Sequence, residues 1–171
     1  AYRSAASDVY KRQAGGYGMN AITALVAQNT HGVRSIYTPP LSFLREQLDA
    51  VVSDVTIDAV KIGMLGSADI VACVRQWLAE HPMPLVVLDP VMVATSGDRL
   101  LDPDAEQAVI EFAHHVDIVT PNVPELAVLL SAPEPARTFE EALSQAAEFA
   151  QKSNTIVIAK GCLLYTSPSP R

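Results

Sequence analysis

Short apolar runs alternate along the chain with longer segments in which apolar residues recur every three or four positions. The clearest run is Leu85-Val86-Val87-Leu88, which is closed by Asp89 and Pro90. Four consecutive apolar residues are typical of a strand buried on both faces, and Pro90 cannot extend the ladder because it has no N–H. The same pattern predicts strands at residues 19–27, 33–37, 58–64, 117–120 and 154–159.

Helix-start signals lie between most of these strands. Thr138 and Glu141 form a capping-box pattern, and Asp102 precedes a proline at the first helical position. The predicted helices start at Ser42, Ser67, Asp102, Pro124 and Thr138, and the last runs to about Gln151. For residues 19–27, periodicity alone allows helix or strand, and the flanking glycines favour a strand. The alternation predicts the α/β class, with a doubly wound, mostly parallel sheet and helices on both faces.

The two ends of the chain have a different character from its middle. Residues 4–13 and 162–171 resemble translated sequencing-library adapters rather than parts of a folded domain. We therefore interpret residues 1–13 and 162–171 as adapter-derived and non-native, as one would a cloning scar. Residues 14–161 are then expected to be an internal piece of a longer gene, a domain truncated at both ends.

The charge of the chain narrows the classes of partner. The net charge is −7, and the two end segments carry +3, which leaves −10 for residues 14–161. Proteins that bind nucleic acid or membrane surfaces carry basic patches, so we expect neither partner. No apolar run is long enough to span a bilayer. Outside the end segments Cys73 is the only cysteine, which excludes a disulfide framework and favours a reducing, cytoplasmic location.

Polar or functional side chains follow the predicted strands at the points where they end. In chain order they are Gln28, Met64, Asp89, Asn122 with Glu125, and Lys160. Because parallel strands end at the same edge of a sheet, where open α/β folds bind their ligands, we expect these residues to share one rim.

The residue types on this rim favour phosphoryl transfer. Two carboxylates without a His or Cys partner suit Mg²⁺ better than zinc, and a lysine opposes phosphate charge. Each residue also has a structural explanation of its own: Asn122 and Glu125 can cap a helix, Lys160 can be a solvated charge, and Met64 can be core. Their predicted meeting at one edge is what favours the functional interpretation.

Several blocks of sequence resemble hydroxymethylpyrimidine/phosphomethylpyrimidine kinase of thiamine biosynthesis, a member of the ribokinase-like superfamily. The resemblance covers nearly all of residues 14–161, in order. The most specific blocks are Ala27-Gln28-Asn29-Thr30 and Lys61-Ile62-Gly63-Met64-Leu65. The others are Gly16-Tyr17-Gly18-Met19, Leu88-Asp89-Pro90-Val91-Met92, Thr120-Pro121-Asn122-x-x-Glu125 and Lys160-Gly161.

This resemblance implies a substrate pocket and a phosphoryl site. Gln28 would hydrogen-bond an aminopyrimidine, and Met64 and Val91 would flank its ring. The implied cofactors are ATP and Mg²⁺, and the implied reaction moves the γ-phosphoryl group of ATP to the hydroxymethyl oxygen and then to the resulting monophosphate.

The same resemblance assigns the phosphoryl site to four residues. Asp89 and Glu125 would organise Mg²⁺ through water, Asn122 would shape that turn, and Lys160 would lie near the nucleotide phosphates. The family's Gly-Thr-Gly-Cys anion hole is expected to follow Gly161. No catalytic residue is therefore assigned within these 171 residues, and we expect them not to catalyse alone.

Two other functions and one assembly remain open at this point. A pyridoxal or pyridoxine kinase of the same superfamily would share the Asp89 and Asn122-x-x-Glu125 apparatus, but the Gln28 block argues against it. In a non-catalytic pyrimidine-binding module, Asp89 and Glu125 would have no function, which argues against this alternative. The sequence does not determine the oligomeric state, and a homodimer is the expectation for the full-length protein.

Overall fold

The computed structural model describes residue 13 and residues 15–29, 32–92 and 101–161, with the side chains of residues 28, 32 and 33 left out. The chain divides into two compact units, Ala1–Thr56 and Ile57–Arg171. Apart from residue 13, the segments assigned above to adapters lie outside the described residues, so their assignment stays a prediction. Among the described residues, no helix combines the length and the apolar character that a membrane span requires.

The first unit holds a two-stranded antiparallel sheet, with β1 at Leu25–Asn29 and β2 at Gly32–Tyr37, followed by helix α1 at Leu41–Val52. The prediction that the first strand belongs to the parallel sheet is therefore wrong. Gln28 lies inside β1, opposite Val33 in a separate sheet. The reason is the short connection, because a parallel crossover needs a dozen or more residues.

The second unit contains a four-stranded, wholly parallel sheet with the order β3-β4-β5-β6, which confirms the predicted α/β class. Its strands are β3 Val60–Ile62, β4 Val86–Leu88, β5 Ile118–Val119 and β6 Ile156–Val157. Its helices are α2 Ala68–Glu80, α3 Pro103–Phe112, a 3₁₀ turn Ala113–His115, α4 Val123–Leu129 and α5 Phe139–Ser153.

Side-chain caps fix the starts of most of these helices. Ser67 accepts a hydrogen bond from the Ile70 N–H, Asp102 caps α3, and Thr138 forms the predicted capping box at α5. These caps satisfy N–H groups that have no partner within a helix. The predicted helix α1 is present, but its predicted cap is wrong, because its N-cap is Pro40 rather than Ser42 and no side chain caps it.

The two faces of the parallel sheet differ in burial. Ile62, Leu88 and Val119 share one face and are 6%, 0% and 0% exposed. On the other face the register aligns Lys61, Val87, Ile118 and Ile156, of which Ile156 is 61% exposed. Side chains alternate along a strand, so Asp89, two residues after Val87, belongs to this more open face.

Candidate active site

Asp89 is the centre of the site at the carboxyl end of β4. Its N–H donates to the Ile62 carbonyl oxygen at 2.8 Å, so strand pairing with β3 continues as far as this residue. Its side chain is 17% exposed and accepts a hydrogen bond on each oxygen. Lys61 Nζ lies 3.2 Å from Oδ2, and Lys160 Nζ lies 2.5 Å from Oδ1. One half-buried carboxylate thus lies between two ammonium groups.

Lys160 reaches Asp89 because the sheet continues past β6. The Ile158 N–H donates to the Val119 carbonyl oxygen at 2.9 Å, and the Lys160 N–H donates to the Pro121 carbonyl oxygen at 2.7 Å. An isolated parallel bridge then pairs Lys160 with Asn122. The extended backbone brings the lysine across β5 to the carboxylate that follows β4.

Glu125 is held by the backbone at the start of α4. Its Oε2 accepts a hydrogen bond from the Asn122 N–H at 2.8 Å, and Asn122 Oδ1 accepts one from the Glu125 N–H at 2.8 Å. The Met92 N–H also donates to this carboxylate, which is only 2% exposed. The structural explanation of the Asn122-x-x-Glu125 pattern, a helix cap, is therefore confirmed. Because α4 starts at the rim, the same cap holds Glu125 close to Asp89.

The two carboxylates have pKa values shifted in opposite directions. Burial by itself would raise the pKa of Asp89, but the hydrogen bonds and charges of Lys160 and Lys61 lower it below the ordinary value of 3.8. Burial raises the pKa of Glu125 above 4.5, and the negative charge of Asp89 adds to this, while the Asn122 and Met92 N–H groups and Lys160 oppose it. The site therefore keeps Asp89 ionised more firmly than Glu125.

Replacing Asp89 by Asn should remove a pH-dependent part of the stability. A carboxyl whose pKa is lower in the folded state stabilises the protein above its unfolded pKa and loses this effect as the pH falls through the folded pKa. We expect the difference in free energy of unfolding between wild type and Asp89→Asn to be constant from neutral pH to about pH 5 and to shrink below 3.8. Urea titrations between pH 7 and 3 measure it. A difference that grows as the pH falls would contradict a lowered pKa of Asp89 in the folded protein.

The residues predicted to bind the substrate lie in two loops and in β1. Met64 and Val91 are half-buried in the loops that follow the neighbouring strands β3 and β4. Gly63 is exposed between β3 and Met64, and an added Cβ there would meet no atom within 4 Å. The end of β3 therefore has open space beside its backbone. Gln28 lies in β1, and its side chain lies outside the described residues.

Lys61 was not among the site residues predicted from the sequence. A lysine between Val60 and Ile62 resembles an ordinary solvated residue, and its side chain is indeed 63% exposed. The available signal was a charge inside a short strand of a parallel sheet, where apolar residues are the rule. Only the register, which sets Lys61 opposite Val87, shows that it can reach Asp89.

Comparison with known families agrees with this geometry. The family model described as phosphomethylpyrimidine kinase matches residues 10–169. The chain belongs to this family. The thiamine biosynthesis multifunctional protein ThiED of Corynebacterium glutamicum is 63% identical over 147 residues, which are 86% of the chain and 19% of that protein. The hydroxymethylpyrimidine/phosphomethylpyrimidine kinase of Salmonella typhimurium is 47% identical over 157 residues, which are 91% of the chain and 59% of that protein.

Solved structures place this phosphomethylpyrimidine kinase family member in the ribokinase-like fold. A phosphomethylpyrimidine kinase from Clostridium difficile superposes with a TM-score of 0.79 at 32% identity, covering 90% of this chain and 67% of the other. An ADP complex of Bacillus subtilis pyridoxal kinase gives a TM-score of 0.77 at 26% identity, covering 91% and 60%. The chain thus spans 19% of the Corynebacterium glutamicum protein and 59% to 67% of the other three proteins.

Proposed function

We propose that the whole protein uses ATP to phosphorylate 4-amino-5-hydroxymethyl-2-methylpyrimidine and then its monophosphate, in thiamine biosynthesis. The observation that carries the proposal is Asp89 between Lys61 and Lys160 at the carboxyl edge of the parallel sheet. Phosphoryl transfer depends on positioning and charge neutralisation more than on a covalent nucleophile, and this cluster supplies charges of both signs. Membership of the phosphomethylpyrimidine kinase family supports the choice of substrate.

The donor chemistry of the site fits Mg²⁺. Within the described residues no group of three or more His, Cys, Asp or Glu side chains is placed to hold a metal ion. Mg²⁺ is usually held by one or two carboxylates, with water and phosphate completing its shell, and Asp89 and Glu125 would be these oxygen donors. Bound there, Mg²⁺ would offset the charge of the transferring phosphoryl group. Asp89 is the more accessible donor, because its side chain is 17% exposed whereas Glu125 is 2% exposed.

The remaining roles belong to the chain's own side chains. Lys160 would hold phosphate oxygens of ATP, and Asn122 would keep Glu125 and the start of α4 in register with it. Met64 and Val91 would flank the pyrimidine ring beside the open space at Gly63. Gln28 would supply amide hydrogen bonds to the aminopyrimidine, which has both donor and acceptor edges.

A coupled ADP-release assay on the whole protein tests this function. We expect turnover with the hydroxymethylpyrimidine and with its monophosphate, and none without Mg²⁺. If neither the hydroxymethylpyrimidine nor its monophosphate causes ADP release, the proposal is contradicted.

A pyridoxal kinase is the second candidate, because a pyridoxal kinase of known structure has nearly the same fold. Side-by-side competition distinguishes the two. One concentration to measure is that of pyridoxal needed to suppress phosphorylation of the pyrimidine, and the other is that of the pyrimidine needed to suppress phosphorylation of pyridoxal. If the first concentration is the lower one, the second candidate is correct. The 63% and 47% identities to thiamine biosynthesis proteins favour the pyrimidine.

We also propose that the whole protein is a cytoplasmic homodimer joined through the β1–β2 ribbon. Leu25 pairs with Tyr37 and Val26 with Ile36, and all four side chains are 38% to 62% exposed. Both faces of the ribbon therefore carry apolar surface, and a two-stranded ribbon has little stability by itself.

Replacing Ile36 by Asp should convert the dimer into a monomer, because the charge would have to be buried between two copies. Sedimentation equilibrium on the whole protein measures the change. Leu143→Asp is the matched control, since Leu143 is also exposed but lies on α5. A wild-type protein that sediments as a monomer at all concentrations would exclude this assembly.

A further inference from the structure

The Lys61 side chain is mostly exposed to solvent and is long enough to reach the neighbouring strand. It lies opposite Val87 in the parallel register, on the same face as Asp89. Two residues along β4 correspond to about 7 Å, close to the length of an extended lysine side chain. Its Nζ reaches Asp89 Oδ2 at 3.2 Å while 63% of the side chain stays exposed.

The ion pair of Lys61 is not needed to satisfy a buried charge. Asp89 already has Lys160 Nζ at 2.5 Å on its other oxygen. An ion pair with so exposed a partner contributes little to stability, so Lys61 can leave Asp89 at little cost. A cation that approaches Asp89 must displace an ammonium group from it, and the more exposed lysine is the easier of the two to displace.

On the basis of the proposed function, we propose that Lys61 is a positioning residue that competes with the divalent cation for Asp89 and binds phosphate once it is displaced. The site would then hold its cation and its polyphosphate cooperatively. The arriving cation takes Oδ2, and the freed ammonium group, still anchored on β3 beside the rim, faces the anion. Lys61 thereby couples the two ligands through Asp89 and does not itself contact the cation.

The test measures the binding of two ligands separately on the whole protein, without turnover. Mn²⁺ binding is followed by electron paramagnetic resonance, and binding of inorganic tripolyphosphate at saturating Mn²⁺ by calorimetry. We expect Lys61→Met to bind Mn²⁺ about three- to fivefold more tightly, the range that an exposed ion pair allows, and tripolyphosphate about fivefold more weakly. Lys61→Arg should restore tripolyphosphate binding, because the guanidinium keeps the charge.

A matched control comes from α5. Lys152 is 59% exposed and pairs with Glu148 at 2.6 Å, so Lys152→Met removes an equivalent ion pair away from the rim and should change neither affinity. Lys61→Gln repeats the test with a polar side chain, in case the apolar one disturbs folding.

The possible results separate this inference from the function on which it rests. Opposite shifts of the two affinities in Lys61→Met and Lys61→Gln support it. Unchanged affinities, or two shifts in the same direction, overturn it and leave the proposed cation site intact. A wild-type chain that binds no Mn²⁺ overturns both the inference and the proposed cation site.

Discussion

Asp89→Asn should lower kcat/KM of the whole protein by about 10²–10³-fold, the loss that follows removal of one preorganised electrostatic group. The amide has nearly the shape of the carboxylate and can still accept a hydrogen bond from a lysine. It lacks the charge that would hold a cation, and it leaves Lys61 and Lys160 facing each other without a counter-charge. The coupled ADP-release assay with the hydroxymethylpyrimidine measures the effect at several Mg²⁺ concentrations.

Glu148→Gln is the control for this change. Glu148 also pairs with a lysine at 2.6 Å, but on α5 rather than at the carboxyl edge of the sheet. We expect its activity to stay within about twofold of wild type, as for surface substitutions away from a site. If Asp89→Asn keeps kcat/KM as close to wild type as Glu148→Gln does, the carboxylate at the rim has no role in the chemistry.

Glu125→Gln should destabilise the protein by about 2 kcal/mol, the cost of a buried polar group left without a partner. The wild-type carboxylate is acceptor-only and receives hydrogen bonds from the Asn122 and Met92 N–H groups while it is 2% exposed. Glutamine has one acceptor oxygen and an NH₂ group, so a buried donor would stand where the carboxylate has its second acceptor oxygen. Urea denaturation at pH 7 measures the loss.

The chain contains an exposed counterpart of this cap. At α5, Glu141 completes the same capping box with Thr138, and its side chain is exposed. Water can replace its hydrogen bonds, so Glu141→Gln should stay within about 0.5 kcal/mol of wild type. Equal losses for the two substitutions would show that burial of Glu125 does not set its contribution.

Two features of the structure differ from what the sequence pattern predicts. The pattern predicts the β1–β2 hairpin as part of the parallel sheet, although a connection of a few residues allows only antiparallel pairing. That signal was available in the sequence. The role of Lys61 had a weaker signal, because a lysine within an apolar strand does not reveal which residue of another strand it meets.

The local features of this protein follow from its sequence alone. The caps at Ser67, Asp102, Asn122 and Thr138, the parallel strands of the second unit and the family all follow from short-range patterns. Caps and strand ends depend on residues within a few positions of one another, so a linear pattern carries them.

The way these features combine into a charge cluster depends on long-range contacts that the sequence pattern does not reveal. Lys61, Asp89 and Lys160 are 28 and 71 residues apart in sequence, and their contacts depend on strand order and register. The burial that raises the pKa of Glu125, and the lysines that lower that of Asp89, are likewise set by the neighbouring strands and loops. Register is fixed by the packing of the whole sheet, because a shift of one residue would turn every side chain to the opposite face.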